Sequence, residues 1–583
     1  MSVNDIENQT TTDQTKLQKV KEKFYESNAG DGTTTYDQYL HGAPLYLCLL
    51  SCFATLFLIG LDQTIVITIL ETVGNKFHAY EKIGWVSSGY MLTMCVFAAT
   101  WGRIAITWGR KYSLMTALVL FEAGSLMCAL APNMNVLIGG RILAGIGGGG
   151  IQTLTFIVAT EVAPIHQRST IFSILGLAFA ISTIAGPLIG GAFTQHSTWR
   201  WCFYINLPIG GVAGALLFWF FNPPKAKGTW KEKLKALDYV GTFLMTAGIV
   251  IFLLALTFGG VEYSWNSGAV IAMFIIGGIL MILFLVWNFK FSKAPIIPWF
   301  VIKNPYVTIP IFALFLNFYC FMGIATFIST YFQVVRGYDA FDTGVHLLPM
   351  IIPTIIFVIG TGILIKTTRI IKPYAIVGGI FGCVGVGCLT LLKADASNGK
   401  MIGLLILPGA YVGIGMQTCM MSSQLNAPKE AGGTILTSSL MNFSRAFGGA
   451  LGADLSQAIF NASFKNKIRK QIMKGAIKGI DSSQAAKIIS SPALIKNLPF
   501  DSQEIVFNTI TDSLKNVFIT ATAVACVGFI FIIFFSNNKV PKADDVAKTR
   551  EEKEAEGEEP EQNNVAGSIE KITTNESASN NQS

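Results

Sequence analysis

Charge is what this sequence has least of. Of its 583 residues only 13% are Asp, Glu, Lys or Arg, against 51% hydrophobic, and the mean hydropathy is +0.51. A water-soluble chain typically carries about 25% charge, so an aqueous enzyme or a nucleic-acid binder is nearly excluded. The shortage is also uneven. Uncharged apolar runs, about 18 residues or longer and able to cross a bilayer, alternate with short polar, basic stretches. Metal-binding spacing is missing too, because the five histidines are scattered. Cys48, Cys52, Cys95, Cys128, Cys202, Cys320, Cys383, Cys388, Cys419 and Cys526 all fall within apolar runs. They are expected as small core hydrophobes and not as a disulfide framework. No charged-then-apolar leader begins at Met1, so no cleaved signal peptide is expected. Gly147 to Gly150 is not followed by Lys-Ser or Lys-Thr and lies in an apolar span, so neither a nucleotide cofactor nor ATP drive is expected.

What is present is an all-α polytopic membrane chain with about fourteen transmembrane helices. A polar N-tail, 1–43, is expected in the cytosol. Six spans follow within 44–222, beginning near Tyr46, Gly84, Tyr112, Val136, Thr170 and Trp201. A basic connector, 223–236, contains Lys225, Lys227, Lys231, Lys233 and Lys235. Two additional spans, within 237–290, begin near Tyr239 and Gly268. The last six, within 291–538, begin near Tyr306, Gly344, Tyr374, Met401, Gly433 and Lys515, and a long loop is expected over 461–514. The acidic segment 539–583 reads as a second solvated cytosolic tail. The net charge of +8 is explained by topology, since Arg103, Arg110, Lys111, Lys290, Lys293, Lys366, Arg369 and Lys372 fall on the inner side of the spans. The basic stretch Lys465 to Lys474 is the exception, because it falls on the outer side, as does the glycosylation acceptor Asn461-Ala462-Ser463.

Ionisable groups inside a bilayer are costly and become functional candidates by default. Asp62 in the first span and Arg141 in the fourth each lie about 12 Å from the outer boundary, and Glu122 in the third about 13 Å, at 1.5 Å rise per residue. Three helices therefore bring three ionisable side chains into one layer, expected to handle protons and substrate. Gly145 belongs to a small-residue run after Arg141 that lets a neighbouring helix approach closely. Gly186, Pro187, Gly190 and Gly191 in the fifth span suit a pliable helix at a gate. Weak echoes link Gly102–Lys111 with Gly362–Lys372, and Gly186–Gly191 with Gly448–Gly452, as in transporters built from repeated halves.

Together these stretches resemble the fungal branch of the fourteen-spanner drug:proton antiporter family of the major facilitator superfamily. Asp62-Gln63-Thr64 is similar to its first-span motif. The stretch containing Gly102, Arg103, Gly109, Arg110 and Lys111 is similar to its loop motif between spans two and three. Leu137…Arg141…Gly145 is similar to the fourth-span motif, and Gly186-Pro187…Gly190-Gly191 to the antiporter motif. Trp199 to Pro208 is close to the sixth-span signature. Ile106 and Thr107 replace the usual acid and base of the loop motif, and Ile69-Leu70-Glu71 replaces Ala-Leu-Pro. The resemblance implies a major facilitator fold of two six-helix bundles with two extra central spans. It implies a monomer that exchanges protons for hydrophobic or cationic toxicants, driven by the proton gradient without a cofactor. The plasma membrane is the expected location and the vacuolar membrane the alternative. Vacuolar transport of basic amino acids, siderophore transport and a transport-inactive nutrient sensor are the competing expectations.

Overall fold

The computed structural model describes residues 39–79, 82–224, 226, 229–260, 263–474 and 499–542. The expected N-tail up to 38, the acidic tail from 543, Lys225, Lys227 and the stretch 475–498 lie outside the described residues. Fourteen long helices dominate the rest. The first six are α1 (Ala43–Ile65), α2 (Ile83–Trp108), α3 (Arg110–Leu130), α4 (Met134–Glu161), α5 (Ile165–His196) and α6 (Asn206–Phe220). The extra pair is α7 (Tyr239–Phe258) and α8 (Gly268–Val286). The last six are α9 (Pro305–Thr330), α10 (Ala340–Thr368), α11 (Lys372–Cys388), α12 (Asn398–Leu425), α13 (Gly433–Met473) and α14 (Phe500–Ile533).

Polar residues at the expected turns start several of these helices. Asn133 accepts from Val136 N at 3.0 Å, Asp238 from Gly241 N at 2.7 Å and Asp339 from Asp342 N at 2.7 Å, each satisfying a free first-turn donor. Between α2 and α3 the chain turns on one residue. Gly109 adopts φ 91°, which a side chain would strain.

Packing repeats between the halves. α1 packs on α5 and α6 as α9 packs on α13 and α14. α3 packs on α4 as α11 packs on α12, and α2 on α4 as α10 on α12. The halves meet reciprocally, the second helix of each lying on the fifth of the other: α2 on α13 and α5 on α10. α7 and α8 form a hairpin beside the α2–α13 seam. Its base is tied by Asp238, which accepts from Trp287 Nε1 at 2.9 Å and Ser292 Oγ at 2.6 Å. Ile271, Ile275, Ile279 and Ile282 of α8 are exposed, as expected of a helix with lipid around it.

Thirteen of the helices are long and apolar enough to cross a membrane. α13 is too polar to qualify, because Ser438, Ser439, Asn442, Ser444, Arg445 and Ser456 are buried inside the bundle. At 41 residues it is also about 62 Å long, roughly twice a hydrocarbon core of about 30 Å. Its far portion occupies the first part of the expected 461–514 loop. α14 likewise starts at Phe500, well before Lys515. Phe460, Phe464 and Ile468 form an apolar edge at helical spacing that packs with Val506, Ile510 and Leu514. Asn516 Nδ2 donates to Ser463 Oγ at 2.8 Å between the two extensions. The acceptor Asn461 is therefore buried within a helix and is not presented for glycosylation.

Candidate functional site

The start of α1 and the end of α14 lie at the same end of the bundle as the ends of α4 and α10, here the tail end, which also carries the Gly109 turn. Asp62 sits three residues before the end of α1, and Arg141 two turns into α4. The two meet inside the N-terminal half, Arg141 Nη1 donating to Asp62 Oδ2 at 2.5 Å, with the side chains 1% and 0% exposed. Arg141 Nε donates to the Val86 carbonyl of α2 at 2.9 Å, and its guanidinium lies 4.1 Å from the Tyr90 ring centroid. Asp62 Oδ1 accepts from Asn206 Nδ2 of α6 at 3.1 Å, and the same amide donates to Ser125 Oγ of α3. One ion pair thereby gathers α1, α2, α3, α4 and α6. Asn206 lies in the sixth-span signature, yet only the fold reveals it as Asp62's second partner.

Glu122 is near this network but outside it. It lies one turn before Ser125 on α3 and packs against Gly210, one turn after Asn206 on α6; a Cβ at Gly210 would overlap its carboxylate. Neither of its oxygens has a hydrogen-bond partner among the described residues. The layer expected from the sequence therefore divides into a bonded pair, Asp62–Arg141, and a separate Glu122. Gly145 approaches the Tyr90 backbone, and Gly147 and Gly149 approach α3 and α2, so close packing accounts for this run.

Residue 62 faces the interior of the half, whereas its neighbour Gln63 faces a cavity between the halves. Gln63, Met94, Gln152, Phe179, Phe318 and Arg445 are among the lining residues. The volume is about 50 Å³, enough for a few waters. Sequence reasoning passed over Arg445, although a guanidinium twelve residues into α13 met the test applied to Asp62. Gln152 on α4 offered no such signal, being neutral.

The remaining motif residues lie at contacts between helices. Gly102 of α2 has Ser439 of α13 pressed against it, and Ser439 Oγ donates to the Ala99 carbonyl at 3.0 Å. Arg103 Nε donates to the Pro295 carbonyl at 2.7 Å, which ties α2 to the segment leading into the second half. Across the other seam Ser173 Oγ donates to the Val358 carbonyl at 3.2 Å, and Gln417 Nε2 to the Ser169 carbonyl at 2.7 Å. Both halves are thus pressed together at the tail end. Arg110 is not available for such a contact, since it is buried in a forked pair with Glu161 of α4 at 2.8–3.0 Å. Glu161 is a partner the sequence did not suggest. Lys111 Nζ donates to the Phe218 carbonyl and Asn222 Oδ1, both at 2.5 Å. On α5, a Cβ at Gly186 would overlap Thr64, and one at Gly190 would overlap Ile65 and Thr68 just past it, so the end of α1 rides directly on these glycines. Gly191 faces open space, and Pro187 faces Gly344 of α10.

The Major Facilitator Superfamily profile matches residues 52–453, well over half of the chain. This chain belongs to the Major Facilitator Superfamily. "Vacuolar basic amino acid transporter 5" of Saccharomyces cerevisiae is 36% identical over 549 residues, spanning 86% of this chain and 93% of its own. "Azole resistance protein 1" of the same yeast is 35% identical over 565 residues, spanning 88% and 91%. Among solved structures, the proton:xylose symporter XylE superposes with a TM-score of 0.53 at 14% identity, covering 86% of this chain and 98% of its own. At that identity the likeness establishes the fold alone. Facilitators carry small molecules across membranes, so this chain is an integral membrane transporter by family, and its relatives also include "Efflux pump aflT" of Aspergillus parasiticus, 34% identical over 437 residues and spanning 74% of this chain and 84% of its own.

Proposed function

We propose that this facilitator is a proton-driven exporter of hydrophobic toxicants, working as a monomer without a cofactor, in the plasma membrane. The observation that carries the reading is the buried Asp62–Arg141 pair beside the cavity-lining Gln63. Protonation of Asp62 removes the charge that Arg141 neutralises, and a buried cation left without its partner is costly. The five helices bonded to the pair then favour a different packing. Because α1 also rests on Gly186 and Gly190 of α5, a shift of α1 reaches the α5–α10 seam. Substrate and proton are coupled through adjacent residues of α1 and do not compete for one carboxylate, which differs from direct displacement by a cation. Glu122 stands apart from this relay.

The acid-free lining, rich in methionine and phenylalanine around Arg445, supports toxicant export over vacuolar uptake of basic amino acids, since no carboxylate among the lining residues would take a cationic side chain. Proteoliposomes decide the matter. With an acidic lumen, fluconazole, rhodamine 6G or fluorescein should accumulate beyond protein-free vesicles, and Asp62→Asn should abolish the gradient-driven part at normal reconstitution. Accumulation of lysine alone would instead support the vacuolar reading. No flux of any probe would leave the nutrient-sensor reading standing. Full gradient-driven uptake by Asp62→Asn would overturn the coupling role.

A further inference from the structure

Arg445 is 3% exposed, at the contact between the halves. Its guanidinium lies 5.4 Å from the ring of Phe156, 5.6 Å from Phe179 and 5.1 Å from Phe318. The Gln152 amide, with its oxygen toward the guanidinium, accepts from Nε at 2.9 Å and also from Nη2. Phe156, Phe179 and Gln152 belong to the N-terminal half and Phe318 to the C-terminal half, so this cation of α13 bridges both. Ring faces and one neutral amide attract a guanidinium, but they do not neutralise it.

The rest of the molecule shows what neutralisation looks like. Arg141 has Asp62 and Arg110 has Glu161, each within 3.0 Å and each pair closed off from solvent. Arg445 is in no such pair among the described residues, and no Asp or Glu lines its cavity. A buried charge in a membrane protein without a counter-charge is expensive and marks a substrate or ion path.

We infer that Arg445 receives an acidic group of the transported molecule, a carboxylate or sulfonate, while Phe179 and Phe318 hold its aromatic or apolar body. A guanidinium presents two parallel donors that match the two oxygens of such a group, and this fork is more specific than a point charge. Met91, Met94 and Met322 also line the cavity, and their flexible thioethers adapt to differing bodies. A cationic molecule meets a like charge and no acid, which selects against it. The cavity is too small for such a ligand in this closed arrangement, so the molecule enters when the halves part. Because the guanidinium touches both halves, an anion bound there sits where either side can reach it, as alternating access requires. This inference names the substrate class within the exporter reading and rests on it for direction.

The test uses the full chain in detergent, with no proton gradient, and two probes sharing a xanthene body: fluorescein, an anion, and rhodamine 6G, a cation. The wild type should bind fluorescein at least about ten-fold more tightly, as expected for a charge-assisted forked contact in a buried site. Arg445→Gln should erase that preference by weakening fluorescein while leaving rhodamine 6G unchanged or improved. Arg445→Lys should recover part of it, because an ammonium keeps the charge and loses the fork. A wild type that prefers rhodamine 6G overturns the inference even if no variant folds. Equal weakening of both probes by Arg445→Gln overturns it as well. If the charge preference and its loss hold while Asp62→Asn retains gradient-driven uptake, the coupling reading falls and the anion site stands.

Discussion

In the N-terminal half, where α1 meets α4, Asp62 accepts from Arg141 at 2.5 Å; at the corresponding contact of the C-terminal half, α9 on α12, Asn317 donates to the Tyr411 carbonyl at 3.4 Å. The helices pack by one plan in both places, yet one contact is ionic and the other neutral. The C-terminal half does carry a buried guanidinium, Arg445, but on its fifth helix and turned to the cavity. Repetition of the scaffold therefore does not require repetition of the chemistry. Charges that neutralise one another lie inside one half. The guanidinium without a counter-charge among the described residues lies at the cavity between the halves.

Removing the cation from the ionic contact should give the largest effect. Arg141→Ala leaves Asp62 buried with Asn206 as its remaining side-chain partner among the described residues, and breaking such a pair typically costs about 3–5 kcal/mol. Arg141→Lys should cost distinctly less, since it keeps a charge but gives up the donor to the Val86 carbonyl. Cys48, Cys52, Cys95 and Cys128 are buried, so thiol reactivity on heating reports the unfolding midpoint. Equal midpoints for the two variants would show that charge compensation is not what Arg141 supplies.

A smaller loss is expected one bond further out. Asn206 donates to both Asp62 and Ser125, and a hydrogen bond to a charged group contributes about 1.5–3 kcal/mol. Asn206→Leu should therefore lower the midpoint by less than Arg141→Ala and should reduce gradient-driven uptake without abolishing it. Uptake equal to wild type would place Asn206 outside the relay.

Much of this was legible in the sequence, and the omissions have physical causes. Apolar runs longer than a bilayer marked the spans, because a backbone in lipid must satisfy its own hydrogen bonds. Thus thirteen of the helices are recognisable from composition and length. α13 and the start of α14 are harder, since their serines, lysines and aspartates dilute the apolar signal while Phe460, Phe464, Val506 and Ile510 bury one edge. Asp62 and Arg141 stood out because charge in an apolar run is conspicuous. Their union is a tertiary fact, and depth along the helix could not separate Glu122 from it, since depth says nothing of which way a side chain turns. Asn206 and Gln152 are neutral and gave no contrast. Arg445 has the contrast, but the glycines that follow it read as ordinary close packing of helices and give its position no separate signal.

The weakest perturbation sharpens the comparison most. Asn317 makes one long hydrogen bond, and its Oδ1 is buried without a partner among the described residues. Asn317→Leu removes that bond together with the unsatisfied acceptor, and replacing a poorly bonded polar group by an apolar one of similar size is close to neutral. Stability should change by about 1 kcal/mol or less in either direction, so the midpoint should stay close to wild type, and gradient-driven uptake should match wild type. The side chain lies within reach of Gly415 on α12, so any loss should come from fit, and Asn317→Val should then restore it. If Asn317→Leu instead stops uptake as Asp62→Asn is expected to, the neutral contact shares in the coupling and the two halves are more alike than their charges suggest.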